Sequence, residues 1–302
     1  MKELLHFSSE VLEALKNNQP IVALESTIIA HGMPYPQNVS TARQVEQIVR
    51  DHGAIPATIA ILGGKLHVGL NDAQLDYLGH AENVWKVSLR DMPYVVSQRL
   101  DGATTVAATM RIASMAGIHV FVTGGIGGVH RGAAQSMDVS ADLTEMAQTN
   151  VVVVSAGIKS ILDIGLTLEK LETLGIPVVT FGSDEFPSFY SRQSGFKTPL
   201  RLDTPADIAA LISTKWQLQL NGSVLIANPV PEEHEVSYVV MEQHIQKALS
   251  AAEENDVRGK SITPFLLKYI AERTAGESLT ANIELVKNNS RLGAMIAVAY
   301  NQ

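Results

Sequence analysis

Lys159 is the residue in this sequence best placed for covalent chemistry. It follows the buried apolar run 151–154 after a short turn, which predicts a lysine at the carboxyl end of a central strand, ahead of a helix that reaches about residue 174. Open α/β sheets bind their ligands at that edge, and a neutral lysine is a nucleophile suited to Schiff-base chemistry. The alternative is that Lys159 merely extends from a loop into solvent.

Glu25 is the one acidic residue in the apolar segment 22–29. An ionised carboxylate is costly in apolar surroundings, and a raised pKa would make Glu25 a useful general acid. The alternatives are a strand end that faces water or a carboxylate paired with a structural arginine. The sequence alone leaves these readings open.

Two segments offer backbone amides to an anion. The glycine-rich segment 123–132 follows an apolar run and contains His130 and Arg131, which together with exposed amides could hold a phosphate. Its glycine spacing matches neither a dinucleotide-binding fingerprint nor a Walker motif, so a tight turn is an equal alternative. The segment 102–109 predicts a helix start rich in small residues, which would also serve close helix packing.

Three polar residues lie together at the start of another predicted helix. Ser140 is a good N-cap, and Asp142 suits the positive end of the helix dipole. Capping does not explain Asp138, which with Asp142 could hold a hard divalent cation such as Mg²⁺ or Mn²⁺.

Two further residues lie on predicted helices near the C-terminus. Asn282 carries a donor and an acceptor, as needed to read an imide edge, although most helix asparagines have no such role. Thr263 is expected to be a helix cap, with Pro264 in the first turn.

The composition limits the chemistry that the chain can perform. The 302 residues include no cysteine, which excludes disulfides, thiolate metal sites and cysteine nucleophiles. A hydrophobic content of 46% supports a substantial core, and a net charge of −8 disfavours a nucleic-acid surface. The first 20 residues predict a short helix and neither a signal peptide nor a membrane span.

The elements that must position these residues alternate between strands and helices. Strands are predicted at 21–24, 58–62, 118–122, 151–155, 177–181 and 223–227, and a helix at 38–52. Gly63 and Gly64 separate two apolar runs and predict a hairpin. We expect a single domain, 1–302, with a three-layer α/β/α sandwich and a mostly parallel mixed central sheet.

Taken in order, several of these segments resemble one known family. The segments are 23–36, 102–108, 123–132, 138–143, 155–162 and 263–267. Together they resemble the pseudouridine-5'-phosphate glycosidases, also called the indigoidine synthase A-like family. The resemblance extends from about residue 7 to the C-terminus.

The resemblance implies a role for each matching position. Lys159 would be the covalent nucleophile, Glu25 the proton donor, and Asp138 the residue associated with one Mn²⁺ per subunit, with Mg²⁺ or another divalent ion possible. The positions that match substrate contacts are Lys86, Val106, Ser140, Ala141 and Asp142, with Thr123 and His130 at the phosphate and Asn282 at uracil.

The implied reaction is reversible cleavage of the carbon–carbon glycosidic bond of pseudouridine 5'-phosphate with water. The products are uracil and D-ribose 5-phosphate, formed through a lysine Schiff base. The resemblance also implies a cytoplasmic homotrimer with small-molecule substrates and no nucleic-acid or membrane partner. The competing interpretations are a Schiff-base aldolase or isomerase of a sugar phosphate and a non-catalytic sugar-phosphate-binding module.

Overall fold

The computed structural model describes residues 4–257, 262–274 and 276–302. Strands and helices alternate along most of this length. The strands are β1 (Leu5–Phe7), β2 (Ile21–Leu24), β3 (Ile55–Leu62), β4 (Lys65–Val68), β5 (Trp85–Val87), β6 (Gly102–Thr104), β7 (Val120–Val122), β8 (Val129–His130), β9 (Val152–Ser155), β10 (Leu162–Asp163), β11 (Val178–Phe181), β12 (Leu200–Leu202) and β13 (Leu225–Ala227).

The helices surround these strands. They are α1 (Ser9–Lys16), α2 (Gln37–Asp51), α3 (Asp72–His80), α4 (Met92–Ser97), α5 (Val106–Ala116), α6 (Ala133–Ser136), α7 (Ala141–Met146), α8 (Ile164–Thr173), α9 (Pro205–Gln217), α10 (Tyr238–Glu254), α11 (Ile262–Arg273) and α12 (Glu277–Tyr300). A π-helical turn spans Ile28–Gly32, and a 3-10 turn spans Glu232–His234.

One mixed sheet forms the centre of the molecule. Its main order is β1-β4-β3-β2-β7-β9-β13-β11-β12, and β6 and β5 extend from β3. Neighbours from β3 to β12 along this order are parallel, whereas β4 and β6 run antiparallel to β3. The central strands β2, β7, β9 and β13 are buried along their whole length, as the apolar runs of a parallel sheet require. The predicted fold class is confirmed.

The predicted hairpin lies at the end of β3. Leu62 pairs with Lys65, so Gly63 and Gly64 form a two-residue turn. Both glycines have positive φ angles, 57° and 75°, which other residues adopt at a steric cost. The hairpin supplies one of the two antiparallel pairs with β3 that make the sheet mixed.

The long helix α12 covers the strands that lead to the candidate site. It packs on β2, β7 and β9 with α2 and α9 beside it. Gly293 permits this close approach, because a Cβ atom there would lie 2.2 Å from Cγ2 of Val122. Helix α5 packs with α7 and also contacts β2, β3 and β7. The strand ends near the site are thus held by packed helices.

Three local predictions differ from the structure. Residues 5–7 form an edge strand parallel to β4, and the N-terminal helix begins only at Ser9, after the Ser8 cap. Residues 102–104 form β6, paired with Ala60 and Ile61, so helix α5 starts at Val106. The helix predicted after the Lys159 turn begins only at Ile164, because residues 162–163 first form strand β10, which pairs with β8.

Among the described residues, none of the helices combines the length and apolar character needed to cross a bilayer.

Candidate active site

A cavity of about 490 Å³ lies at the carboxyl ends of the neighbouring strands β2, β7 and β9. Leu24 pairs with Val122, and Val122 pairs with Val154, so the three strands end at nearly the same level. Glu25 follows β2 directly, the glycine-rich loop follows β7, and Lys159 lies in the turn after β9. Parallel topology therefore brings three sequence-distant segments into one pocket.

Most of the predicted site residues line this cavity. They are Glu25, Lys86, Val106, His130, Asp138, Ser140, Ala141, Asp142, Lys159 and Asn282. Thr123, which was predicted to contact phosphate, is the exception. It is only 2% exposed, and its hydroxyl donates to Glu25, so the Thr123 side chain does not line the cavity, and its contact with phosphate stays a prediction. Its physical role is to hold the carboxyl group.

Lys159 is held by an exchange of backbone hydrogen bonds between two strand-end loops. The amide of Lys159 donates to the carbonyl of Ile126 at 3.1 Å, and the amide of Ile126 donates to the carbonyl of Gly157 at 3.1 Å. Gly157 has a φ of 84°, which lets the chain turn sharply after β9. The Lys159 side chain then faces the cavity.

Gly125 provides space beside the lysine. A Cβ atom on Gly125 would lie 2.5 Å from the Phe189 ring and 3.3 Å from Cγ of Lys159. Phe189 is 2% exposed and adopts φ 59°, which is uncommon for a bulky residue and marks a constrained position. The Phe189 ring and the Lys159 stem thus both pack on the glycine loop.

Glu25 has the environment of a proton donor. Burial raises its pKa, and this effect outweighs the opposing charge of Lys159 and the hydrogen bond from Thr123. Its charged neighbours among the described residues include Lys159, Asp142 and Lys86 and no arginine, so the arginine-paired alternative is wrong. Because a raised pKa keeps the carboxyl group protonated to higher pH, Glu25 can deliver a proton inside the cavity.

Asp142 connects the glycine loop to helix α5. One carboxylate oxygen accepts from the amide of Gly127 at 2.8 Å and the other from the amide of Ala107 at 2.9 Å. Ser140 caps helix α7 as predicted, since its hydroxyl accepts from the Asp142 amide. A Cβ atom on Gly127 would lie 2.2 Å from the Ser140 hydroxyl, so only glycine fits there.

His130 and Asp138 lie side by side at the cavity wall. Nδ1 of His130 is 3.9 Å from a carboxylate oxygen of Asp138, and the His130 amide donates to the Asp138 carbonyl at 3.0 Å. Burial lowers the pKa of His130, and the nearby positive charges of Lys159 and Lys86 add to this against the opposing effect of Asp138. A lowered pKa favours the neutral imidazole.

Asp138 is the candidate ligand for a divalent ion in this cavity. Within the parts of the chain that the structure describes, no three His, Asp or Glu side chains form a metal cluster. Asp142, the predicted second ligand, already accepts backbone hydrogen bonds at both oxygens. The Asp138 carboxylate is 35% exposed in the cavity, and Mg²⁺ or a similar hard ion commonly binds to one carboxylate, water and substrate phosphate. This donor set fits such an ion.

Two further cationic side chains line the cavity. Lys86 projects from β5, and Arg90 follows in the loop before α4. Arg131, a predicted phosphate ligand, is instead bound to the carboxylate of Glu242 at 2.6 and 2.9 Å, so its phosphate assignment is wrong. Lys86 and Arg90 are therefore the basic groups placed to meet an anionic substrate end, together with neutral His130.

Helices α11 and α12 close the remaining side. Asn282 of α12 lines the cavity, and its side-chain oxygen Oδ1 would lie 3.4 Å from a Cβ on Gly124. Thr263 and Pro264 of α11 also line it. Thr263 falls within the first turn of α11, which begins at Ile262, rather than at a cap. Any cap would fall in 258–261, outside the described residues.

Sequence reasoning missed several lining residues, including His31, Arg90 and Phe189. His31 lies in the last part of the π-helical turn Ile28–Gly32, and burial lowers its pKa. Arg90 lies near Lys86 in sequence, which was a usable signal. Phe189 carries no local signal, because its ring reaches the cavity only through the loop after β11.

Comparison with known proteins identifies what this chain is similar to. Residues 10–299 match the family model described as indigoidine synthase A like protein. A pseudouridine-5'-phosphate glycosidase of Lysinibacillus sphaericus is 60% identical over 302 residues, which cover 100% of this chain and 99% of that protein. One from Caldanaerobacter subterraneus subsp. tengcongensis is 55% identical, with 100% and 98% covered.

Two solved structures have the same fold. The prealnumycin C-glycosynthase AlnA, in complex with ribulose 5-phosphate, superposes with a TM-score of 0.92 at 37% identity, covering 99% of this chain and 97% of that one. An indigoidine synthase A-like protein of Thermotoga maritima gives a TM-score of 0.91 at 38% identity, with 99% and 97% covered.

Proposed function

The chain belongs to the indigoidine synthase A-like family, and from this membership and the geometry of its cavity we propose that it is a pseudouridine-5'-phosphate glycosidase. The substrate would be pseudouridine 5'-phosphate, and the products uracil and D-ribose 5-phosphate. The observation that carries the proposal is the placement of Lys159 and the protonatable Glu25 in one cavity that also presents Lys86 and Arg90.

The chemical difficulty of this reaction is that the leaving atom is carbon. Hydrolytic glycosidases use two carboxyl groups to activate an oxygen leaving group, which a C-nucleoside does not offer. A nitrogen on the anomeric carbon supplies electrons instead. The proposal therefore requires an amine nucleophile and an acid, which Lys159 and Glu25 provide.

The proposed steps conserve atoms and electrons. The amine of Lys159 forms a bond to C1' as the C1'–O4' bond breaks, and O4' takes the proton that the attached nitrogen loses. Glu25 then gives a proton to C5 of uracil, while the nitrogen lone pair forms C1'=N and the C1'–C5 bond breaks. Water adds to the iminium, returns one proton to Glu25, and releases ribose 5-phosphate and the free lysine. The sum is cleavage by one water.

Other cavity residues would orient the substrate. Lys86 and Arg90 offer positive charge to the phosphate, and neutral His130 offers one N–H donor. Asn282 offers a paired donor and acceptor to the uracil edge. A divalent ion such as Mn²⁺, held by Asp138, would supply positive charge near the substrate oxygens.

Two alternatives share parts of this site. A Schiff-base aldolase or isomerase would use Lys159 but would need no base-reading Asn282, and a binding module would use the same residues without turnover. The full-length identity of 55–60% to pseudouridine-5'-phosphate glycosidases supports the glycosidase over both. Family membership also supports a cytoplasmic homotrimer, and sedimentation of the purified protein would test the trimer.

Release of uracil and ribose 5-phosphate in equal amounts tests the proposed function. Purified protein is incubated with pseudouridine 5'-phosphate, and both products are quantified by chromatography. We expect one uracil for each ribose 5-phosphate, abolished in Lys159→Ala and retained in Lys170→Ala, which alters an exposed lysine of α8. Absence of uracil from the wild-type protein would refute the proposal.

A further inference from the structure

Arg131 contacts the loop that carries Lys159. One of its terminal nitrogens donates to the carbonyl of Ser160 at 3.0 Å, and Nε makes a longer contact of 3.4 Å with the carbonyl of Leu162. Arg131 follows β8, whose His130 pairs with Leu162. The guanidinium therefore bridges the strand that ends in His130 and the main chain just after the nucleophile.

The same guanidinium also binds helix α10. Its two terminal nitrogens donate to the two carboxylate oxygens of Glu242 at 2.6 and 2.9 Å. Gln246, one turn along α10, donates to Glu242 at 2.7 Å. Burial would raise the pKa of Glu242, but the hydrogen bonds from Arg131 and Gln246 outweigh it and lower that pKa, so Glu242 is a carboxylate at neutral pH.

Helix α10 packs on α11, the helix that lines the cavity with Thr263, Pro264 and Leu267. One guanidinium thus connects three parts of the site: the His130 strand, the Lys159 turn and the α10–α11 pair. We propose that Arg131 and Glu242 are positioning residues that fix the Lys159 turn and couple it to the α10–α11 side of the cavity. This inference rests on the proposed role of Lys159 as nucleophile.

Arginine suits this position because its planar fork holds a carboxylate with two nitrogens while still reaching a carbonyl. Lysine keeps the charge but lacks the fork, so Arg131→Lys should loosen the turn. A displacement of about 1 Å at a reacting group can cost about 100-fold in rate. We therefore expect Arg131→Lys to lower kcat and the rate of imine formation on Lys159 by about 10- to 100-fold, with little change in KM.

The experiment compares two arginine–carboxylate pairs. Arg131→Lys, Glu242→Gln and their double variant are set against Arg50→Lys and Glu10→Gln, which alter a similarly bidentate pair between α1 and α2. Borohydride trapping with ribose 5-phosphate gives the imine rate, and hydrogen exchange reports on residues 156–163. Thermal unfolding shows that each variant folds.

The positioning role predicts slow imine trapping and faster hydrogen exchange in residues 156–163 for the Arg131 and Glu242 variants. The Arg50 and Glu10 variants should show neither change. The positioning role also predicts that the double variant loses no more than Arg131→Lys, because the pair acts as one unit. Normal trapping in Arg131→Lys and Glu242→Gln, or losses in all variants that track only thermal stability, would overturn it. If the wild-type protein trapped ribose 5-phosphate but released no uracil, the proposed reaction would be wrong. The rates of imine formation in the variants would still test the positioning role of Arg131 and Glu242.

Discussion

The Thr123 hydroxyl donates a hydrogen bond to the carboxyl group of Glu25. The Thr123 side chain is buried, and the backbone carbonyl of Thr123 accepts from the side-chain nitrogen Nδ2 of Asn289 at 2.9 Å. Asn289 accepts from Asn228 at 3.1 Å, so α12 and the end of β13 support the end of β7. The proton donor of the proposed reaction is therefore held by a buried polar network and has a defined orientation.

Thr123→Val should move the pH dependence of the reaction upward. The Thr123 hydrogen bond opposes the effect of burial on Glu25, so its loss raises the pKa of Glu25 further. An acid with a higher pKa stays protonated to higher pH, and the alkaline limb of kcat should shift to higher pH. The optimum rate should fall by about tenfold or less, as one hydrogen bond is worth about 1 kcal/mol.

Thr123→Ser is the matched control, since it keeps the donor. Its pH profile, measured by uracil release, should follow the wild type. In Thr123→Val, the alkaline limb of the kcat profile could instead move to lower pH, or stay in place while kcat is retained. Either result would argue against Glu25 as the proton donor.

Asp138→Asn should weaken binding of Mn²⁺. Asp138 is the partly exposed carboxylate beside His130 in the cavity, and an amide lacks the charge that a hard cation requires. We expect affinity in the presence of ribose 5-phosphate to fall at least about tenfold, as measured from the electron paramagnetic resonance signal of free Mn²⁺. Asp51→Asn, on the exposed end of α2, should bind normally. Equal Mn²⁺ affinity in the wild type, Asp138→Asn and Asp51→Asn would show that Asp138 does not bind the metal.

Asn282→Asp should separate cleavage from sugar binding. The change removes a donor and places a negative charge against a uracil carbonyl, at a cost of about 1–3 kcal/mol, or about 5- to 150-fold in kcat/KM. Imine formation with ribose 5-phosphate should be retained, because that compound has no base. Asn221→Asp, at an exposed loop, serves as control. Equal loss of cleavage and trapping would place Asn282 at the sugar or in the fold instead.

Local sequence patterns predicted the parts of the fold that depend on nearby residues. The apolar run before Lys159 indicated a buried strand, and parallel topology then placed the lysine at the ligand-binding edge. Gly63 and Gly64 predicted the hairpin, because a two-residue turn depends on the φ angles that its own two residues can adopt.

The failures share a dependence on distant partners. Strand β6 exists because residues 102–103 pair with Ala60 and Ile61, which no local periodicity encodes. Arg131 looked like a phosphate ligand beside His130, but Glu242 of α10 binds it. The Thr123 hydroxyl likewise donates to Glu25, which follows the neighbouring strand β2. Side-chain direction at a strand end is set by such tertiary contacts.

The covalent role of Lys159 is the central claim, and borohydride trapping tests it most directly. Protein is incubated with isotopically labelled ribose 5-phosphate, reduced and digested, and the modified peptide is sequenced by mass spectrometry. Reduction of the imine should leave one pentose phosphate per chain on Lys159, and pseudouridine 5'-phosphate should give the same adduct during turnover. Lys159→Ala should trap nothing, whereas Lys170→Ala should trap normally. Label on another lysine, or the absence of an adduct in a protein that cleaves its substrate at the full rate, would contradict the account.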